Sequence, residues 1–317
     1  MLKELKFVQG AVSKKDFIPA LTHFRIENGT VRSFNGMLAL CSPIAFDLDC
    51  SPKAEPLVKA IGNCDETVTL SLTPTGRLSV KSGSFKALID CVQEATPHVT
   101  PEGDIINFDG EQVLKAFETI YPFIGNDASR PWSNGVLLKG QSAFATNNVT
   151  LVEYWVGSTF PIECNVPRAC IKEMLRIGEP PLYAQADHNS LTFHYGENCW
   201  IRTQLFSTEW PDLSKVLEVQ SNPRPIHDEL FAGLEKLKPF VDKQGHIFFR
   251  NGIIATSQDE HEGADYALTN HDYNGIYNIE MLALLKDVVK GIDWNMYPRP
   301  CPFHGDRLRG AIVGMRM

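Results

Sequence analysis

Few residues in this chain have the types and spacing that chemistry requires. Asp259-Glu260-His261-Glu262, together with His271 or His304, has the donor types of a divalent-metal site and would make a metal-dependent hydrolase. The run sits beside Gly263 between strand-like segments, which suits a solvated loop better. Cys301-Pro302-Phe303-His304 offers two zinc ligands with no second pair nearby. There is no Gly-rich phosphate loop, no G-x-S-x-G and no H-E-x-x-H. Cysteines 41, 50, 64, 91, 164, 170, 199 and 301 lack C-x-x-C spacing and fall partly on apolar faces, the pattern of buried free thiols. Absence of these motifs does not exclude an enzyme, but it leaves catalysis without a named residue and gives no reason to expect a metal or a cofactor.

Charge is more informative. On a helix expected over Pro167 to Ile177, Arg168, Lys172 and Arg176 fall at i, i+4 and i+8, one cationic line opposite Ile171, Met174 and Leu175. Lys286 and Lys290 lie one turn apart on a helix expected over Asn278 to Lys290, and Lys53 and Lys59 lie on another over Pro52 to Ile61. These three helices carry seven cations against four carboxylates in a chain whose net charge is −8. One such line is an ordinary solvated face. Three on equivalent helices suggest a polyanion, although a net-acidic chain does not simply coat nucleic acid.

Positioning these residues requires elements that repeat. Glu111 to Ile124 (EQVLKAFETIYPFI) returns as Asp228 to Val241 (DELFAGLEKLKPFV), with Val113, Phe117, Ile120 and Ile124 falling on Leu230, Leu234, Leu237 and Val241. Both predict amphipathic helices. A fainter copy is read at Ser13 to Phe24, after a strand at Leu5 to Val12, with Ser13 as N-cap. Each copy is followed by period-two strands, a second helix opening at proline in the first two copies, and more strands, the last running from Leu308 to Met317. Helices confined to two places among antiparallel strands predict an α+β class with three repeated domains, 1–100, 101–219 and 220–317, each with two helices against antiparallel sheets. Thr96 to Pro101 and Glu218 to Pro225 read as linkers. No apolar run approaches the roughly 18 residues needed to span a bilayer, and Met1 to Val12 is no signal peptide. A cytoplasmic protein without a membrane partner is expected.

Three further signatures, added to the repeats, resemble the beta sliding clamp family of bacterial DNA polymerase III, in a shortened form such as a phage could encode. Ala145-Thr146-Asn147-Asn148-Val149-Thr150-Leu151 stands where the family has A-T-D-G-H-R-L, Phe206 to Leu217 (FSTEWPDLSKVL) is similar to its F-P-D-Y-x-x-V-L segment, and Val313-Gly314-Met315-Arg316-Met317 resembles its M-P-M-R-L ending. Gly314 in place of proline, and the missing Gly-His-Arg, bear on pocket specificity. The resemblance covers all three repeats. It implies a homodimeric ring of six DNA-clamp domains around duplex DNA, bound without sequence preference, that tethers a DNA polymerase and is loaded by a clamp loader. The DNA-facing residues would be Lys14, Lys15, Lys53, Lys59, Lys115, Arg168, Lys172, Arg176, Lys286 and Lys290. A partner-peptide pocket would be formed by Arg130, Trp132, Ser133, Thr146, Leu151, Pro302, Val313, Gly314, Met315, Arg316 and Met317. The alternatives are the hydrolase above, or a structural ring protein without a DNA role.

Overall fold

The computed structural model describes residues 1–317 apart from Asp16, Glu66, Ala95, Thr96, Asn251, Asn270 and Met317. The first elements are α1 (Leu2–Val8), β1 (Arg25–Glu27), β2 (Thr30–Phe34), β3 (Leu38–Pro43), α2 (Ala54–Gly62), β4 (Thr69–Leu72), β5 (Leu78–Ser82), β6 (Phe85–Ile89) and β7 (Asp104–Ile106). There follow α3 (Gly110–Ile120), β8 (Gly135–Thr146), β9 (Thr150–Pro167), α4 (Arg168–Ile177), β10 (Tyr183–Asp187), β11 (Ser190–Gly196) and β12 (Cys199–Gln204). The remainder is α5 (Ser214–Leu217), β13 (Arg224–Pro225), α6 (Asp228–Leu237), β14 (His246–Arg250), β15 (Ile253–Ala255), β16 (Asp265–Ala267), β17 (Gly275–Asn278), α7 (Ile279–Ala283), β18 (Gly291–Ile292), β19 (Cys301–Gly305) and β20 (Leu308–Ile312).

These elements pack as two compact units, one of Met1–Leu114 with Ala169–Phe206, the other of Lys115–Arg168 with Ser207–Met317. In the first unit, β1-β2-β3-β12-β11-β10-β7 form a seven-stranded sheet and β4-β5-β6 a three-stranded one. In the second, β13-β18-β19-β20-β9-β8 and β16-β15-β14-β17 form sheets of six and four strands. Neighbouring strands run antiparallel throughout these ladders, which makes the class α+β. The expected segment 101–219 supplies strands to both units: β7, β10, β11 and β12 to the first, β8 and β9 to the second.

The repeat appears as local structure. α3 passes into a 3-10 turn at Tyr121–Phe123 and α6 into one at Lys238–Phe240, after which Ile124 and Val241 turn extended. Pro122 and Pro239 lack the N–H that a continuing α-helix would need, so each helix tightens and stops. The same sequence of events occurs at the start of the chain, where α1 passes into a 3-10 turn at Gln9–Ala11 and then into extended Val12. The first copy is therefore Leu2 to Val12 and not Ser13 to Phe24. The i, i+3 spacing of Leu2, Leu5 and Val8 is that of a helix, and Leu5 and Val8 are fully buried. In Ser13 to Phe24, by contrast, Ile18 is held extended before Pro19, and Phe17 is 85% exposed. Among the described residues there, only Pro19–Thr22 makes a 3-10 turn.

Other boundaries also move. α2 starts at Ala54, because Pro52 is bridged to Cys91. α7 is capped by the Asn278 side chain, which accepts from Glu280 and Met281 N–H, and keeps α geometry only to Ala283. Beyond it Leu285 and Lys286 bond three residues back while Val289 bonds four back, so Lys286 and Lys290 come from turns. The last strand stops at Ile312, since Met315 N–H leaves the ladder to donate to Ile276 O at 2.7 Å.

Two histidines are buried without a partner for Nε2. His194 stacks on Tyr183 with ring centroids 4.4 Å apart. His271 lies among Phe249, Tyr273 and Trp294, with His227, Asp272 and Glu229 as its nearest charges. Burial holds both below the ordinary imidazole range. The unfolded chain takes up protons below about pH 6.5 while the folded chain resists, so this stability is present above that pH and lost as pH falls. We expect thermal melts to drop between pH 6.5 and 5. Replacing His271 with Phe should flatten part of that loss, and an unchanged profile would show that the ring protonates freely in the fold.

Candidate nucleic-acid interface and partner cleft

The cationic line on α4 is only partly a solvated face. Arg168 is half-buried, its guanidinium 5.1 Å from the Tyr121 ring centroid, with Nη1 donating to Ile124 O at 3.4 Å. Arg176 donates from Nη1 to Lys6 O at 3.0 Å and from Nη2 to Phe7 O at 2.8 Å, and pairs with Glu173. It thus occupies carbonyls at the C-terminal end of α1 that the helix leaves open. Lys172 and Arg176 are both exposed, but Arg176 is engaged by Glu173 and the α1 carbonyls.

The other cations are spread over several settings. Lys59 pairs with Glu55 at 2.6 Å, Lys286 with Glu235 at 2.7 Å and Lys290 with Asp306 at 2.5 Å, all exposed pairs of small worth that a phosphate can displace. Glu235 pushes the Lys286 ammonium up, and Lys59 holds the Glu55 carboxyl down. Lys53 is the N-cap residue of α2, and Lys115 is exposed on α3. Lys14 and Lys15 stand on the exposed loop before Pro19, Lys15 5.8 Å from the Phe17 ring, and not on a helix. With α1 placed correctly, Lys3 and Lys6 join the set, Lys3 paired with Glu179 at 3.0 Å. The i, i+3 apolar spacing was the signal that would have found them.

A charge test follows from these roles. Lys172→Glu should leave the melting temperature within the roughly 0.5 kcal/mol scatter of surface changes. Arg176→Glu should cost more, about 1–3 kcal/mol, by leaving two α1 carbonyls unpaired and facing Glu173. Equal melting of the two variants would remove the capping role from Arg176.

The second group of residues converges within the second unit. Thr146, Leu151, Ala311 and Pro302 are direct cross-strand partners on β8, β9, β20 and β19, so they form one row on one face of the sheet. Val313 N–H donates to Val149 O at 2.8 Å, which brings the chain's last described residues against the 146–151 hairpin. In that hairpin Asn147 Oδ1 accepts from Val149 and Thr150 N–H, Asn148 takes φ +70°, and Asn147 Nδ2 reaches Met281 Sδ at 3.1 Å. The 130–133 turn joins through Gly125 N–H, which is shared between Ser133 O and Thr146 O. Gly314 faces the Tyr297 ring, where an added Cβ would lie 2.5 Å from it, and Tyr297 OH donates to Met315 O at 3.0 Å. Val313 is 40% exposed and Arg316 is exposed. Of the pocket residues read from the sequence, those described here come together, with Arg130 at the outer end of its turn; Met317 lies outside the described residues. Three neighbours were missed. Trp210 packs edge-on to Trp132 with centroids 5.2 Å apart, and Met281 and Tyr297 close the other side. Trp210 lies inside FSTEWPDLSKVL, a segment already singled out, whereas no local pattern marks Met281 or Tyr297.

Asp259-Glu260-His261-Glu262 forms an exposed turn in which Asp259 Oδ1 accepts from His261 N–H. Among the described residues no three His, Cys, Asp or Glu side chains gather as metal ligands.

No family model matches the chain. By sequence it is similar to the beta sliding clamp of Chlamydia pneumoniae, 22% identical over 278 residues that span 76% of this chain and 72% of that one. By structure it is similar over its whole length to the DNA polymerase III beta of Caulobacter crescentus (TM-score 0.84, 14% identity) and to the sliding clamp of Pseudomonas aeruginosa solved with griselimycin (TM-score 0.80, 16% identity), covering 97% of each. The sliding clamp of Bacillus subtilis gives 0.81 at 14% identity with the same coverage. The chain has the beta sliding clamp fold. Within that clamp fold, the two sheets that join distant segments, β3 with β12 and β9 with β20, are the features on which a functional reading depends. No helix of the clamp-fold chain, among the described residues, is long and apolar enough to cross a membrane.

Proposed function

We propose that the protein is a DNA sliding clamp: a non-enzymatic processivity factor of the cytoplasm that closes as a homodimeric ring around duplex DNA and tethers a DNA polymerase, after loading by a clamp loader. The observation that carries this reading is a pattern of strand pairing with one place left open. Taken as three repeats over 1–100, 101–219 and 220–317, the last strand of the second repeat, β12, pairs with β3 of the first, and the last strand of the third, β20, pairs with β9 of the second. Among the described residues, the last strand of the first repeat, β6, has only β5 as neighbour, and β16 of the third has only β15. A second copy supplies both missing partners head-to-tail, and the two-fold axis closes the ring. The two edges are complementary: Lys86 lies on β6 with Lys81 opposite it on β5, whereas Asp265 lies on β16 and Asp259, Glu260 and Glu262 lead into it.

Function follows from closure. A ring cannot leave a circular duplex by breaking contacts, so it needs only weak attraction to phosphates, which exposed lysines such as Lys172 and Lys115 supply without stopping movement. The net charge of −8, unfavourable for a coating protein, is compatible with a ring. The cleft around Thr146, Leu151, Val313 and Met315 is read as the site where polymerase and loader peptides dock.

Two measurements test the proposal together. Light scattering should give about twice the chain mass of 35.4 kDa. Protein loaded on a nicked circle should be retained at high salt and released when the circle is cut once. A stable monomer, or retention indifferent to cutting, would overturn the ring.

A further inference from the structure

The partner cleft has a structural copy in the first unit. There the hairpin Asn35-Gly36-Met37 stands where Asn147-Asn148-Val149 stands in the second: Asn35 Oδ1 accepts from Met37 N–H at 3.1 Å and Leu38 N–H at 2.9 Å, and Gly36 takes φ +95°. The strand arriving from the following repeat is in the same register, since Thr203 pairs with Leu38 as Ile312 pairs with Thr150. The next N–H again donates to the turn, Gln204 to Met37 O at 3.4 Å as Val313 does to Val149 O. The row Thr146–Leu151–Ala311 therefore corresponds to Phe34–Ala39–Arg202.

This copy is hollow. A cavity of about 580 Å³ and a smaller one of about 240 Å³ meet at Phe34, Ala39, His98 and Val99, with Trp200 in the wall of the larger. A volume of 580 Å³ falls in the range that holds a short ligand or one to two large side chains. The arginines around it are already paired: Arg25 with Glu27 and Asp49, Arg32 with Glu27, and Arg202 with Glu102. The rest of the lining is mixed, with Phe34, Ala39, Val99 and Trp200 forming an apolar and aromatic patch beside Ser51, Gln93 and Glu94, and Met37 at the lip of the smaller cavity is 49% exposed.

We infer that the first unit carries a second peptide-docking cleft, which takes an extended partner segment bearing a large apolar or aromatic anchor between Phe34, Val99 and Trp200. The inference rests on reading the second-unit cleft as a peptide site, and it makes each chain bivalent. Two tethered proteins could then occupy one protomer, each raising the other's effective concentration.

The test uses one probe on the intact chain, a hexapeptide with two leucines and a C-terminal benzoyl-phenylalanine, cross-linked by light and mapped by mass spectrometry. The expected result is attachment in two places, within 34–39 or 97–99 of the first unit and around 146–151 or 313–316 of the second. Calorimetry should give two sites per chain, falling to one in Val99→Arg and to one in Val313→Asp, with the opposite cleft still labelled in each. Labelling confined to the second unit, with one site per chain, would overturn the second cleft while leaving the partner-site reading intact. Labelling in neither would overturn both.

Discussion

Removal of Arg316 and Met317 is expected to abolish binding of the cognate polymerase's clamp-binding peptide while the dimer and its melting temperature stay as they are. Stability is spared because, among the described residues, the hydrogen bonds that hold the segment end at Met315: its N–H goes to Ile276 O at 2.7 Å and its carbonyl receives Tyr297 OH at 3.0 Å. Arg316 is exposed and directly follows the segment whose Val313 meets the 146–151 hairpin. By calorimetry the loss should be at least about 100-fold, roughly 2.7 kcal/mol. Extending the deletion through Met315 should also remove two hydrogen bonds, about 1 kcal/mol each, and begin to lower the melting temperature. Full affinity in the shorter truncation would place the cleft elsewhere.

Opening the proposed ring should have a still larger effect, because in that reading topology and not contact strength retains it on DNA. Lys86→Glu with Leu88→Asp puts two carboxylates on the free edge of β6, where Leu88 is 46% exposed, and faces them with Asp265 and the 259–262 turn. A monomer near 35.4 kDa should result, with retention on circular DNA shortened by orders of magnitude. Folding should persist, since both positions lie on the exposed face of an edge strand. Adding Asp265→Lys to Lys86→Glu alone should restore dimerisation, a coupling that only direct opposition produces. If Asp265→Lys rescues nothing, β6 and β16 are not partners.

How much of this was legible in the sequence depended on whether the signal was local. α3 and α6 were readable because apolar spacing and the Pro-Phe ending recur at a fixed offset, and the α+β class followed from them. The first copy was misplaced because Leu2 to Val12 has no proline to match Pro122 and Pro239. Gly10 stands at that place, where an added Cβ would lie 2.0 Å from Glu173 Oε2. The convergence of the 146–151, 130–133 and 313–316 segments was legible only through resemblance, since β20 meets β9 across more than 150 residues. Met281 and Tyr297 come from elements with no shared pattern, so only the fold could add them. The charges misled for another reason: helical spacing puts Arg168 and Arg176 in line with Lys172, but it cannot say that Tyr121 and the α1 carbonyls already occupy them.

The pairing of β3 with β12 also sets the order of events during synthesis. Leu38, Ala39, Leu40 and Cys41 are buried apolar residues whose ladder partner is residues 200–203. At a translation rate of about 5–20 residues per second, the intervening chain takes roughly ten to thirty seconds to emerge. Throughout that interval the ribosome displays an unpaired hydrophobic strand edge, the kind of surface that joins neighbouring nascent chains. The first unit is thus the first to appear but cannot close its main sheet until residues 200–203 have emerged, so its yield in the cell should depend on holdase chaperones and on slow elongation far more than its final stability would suggest.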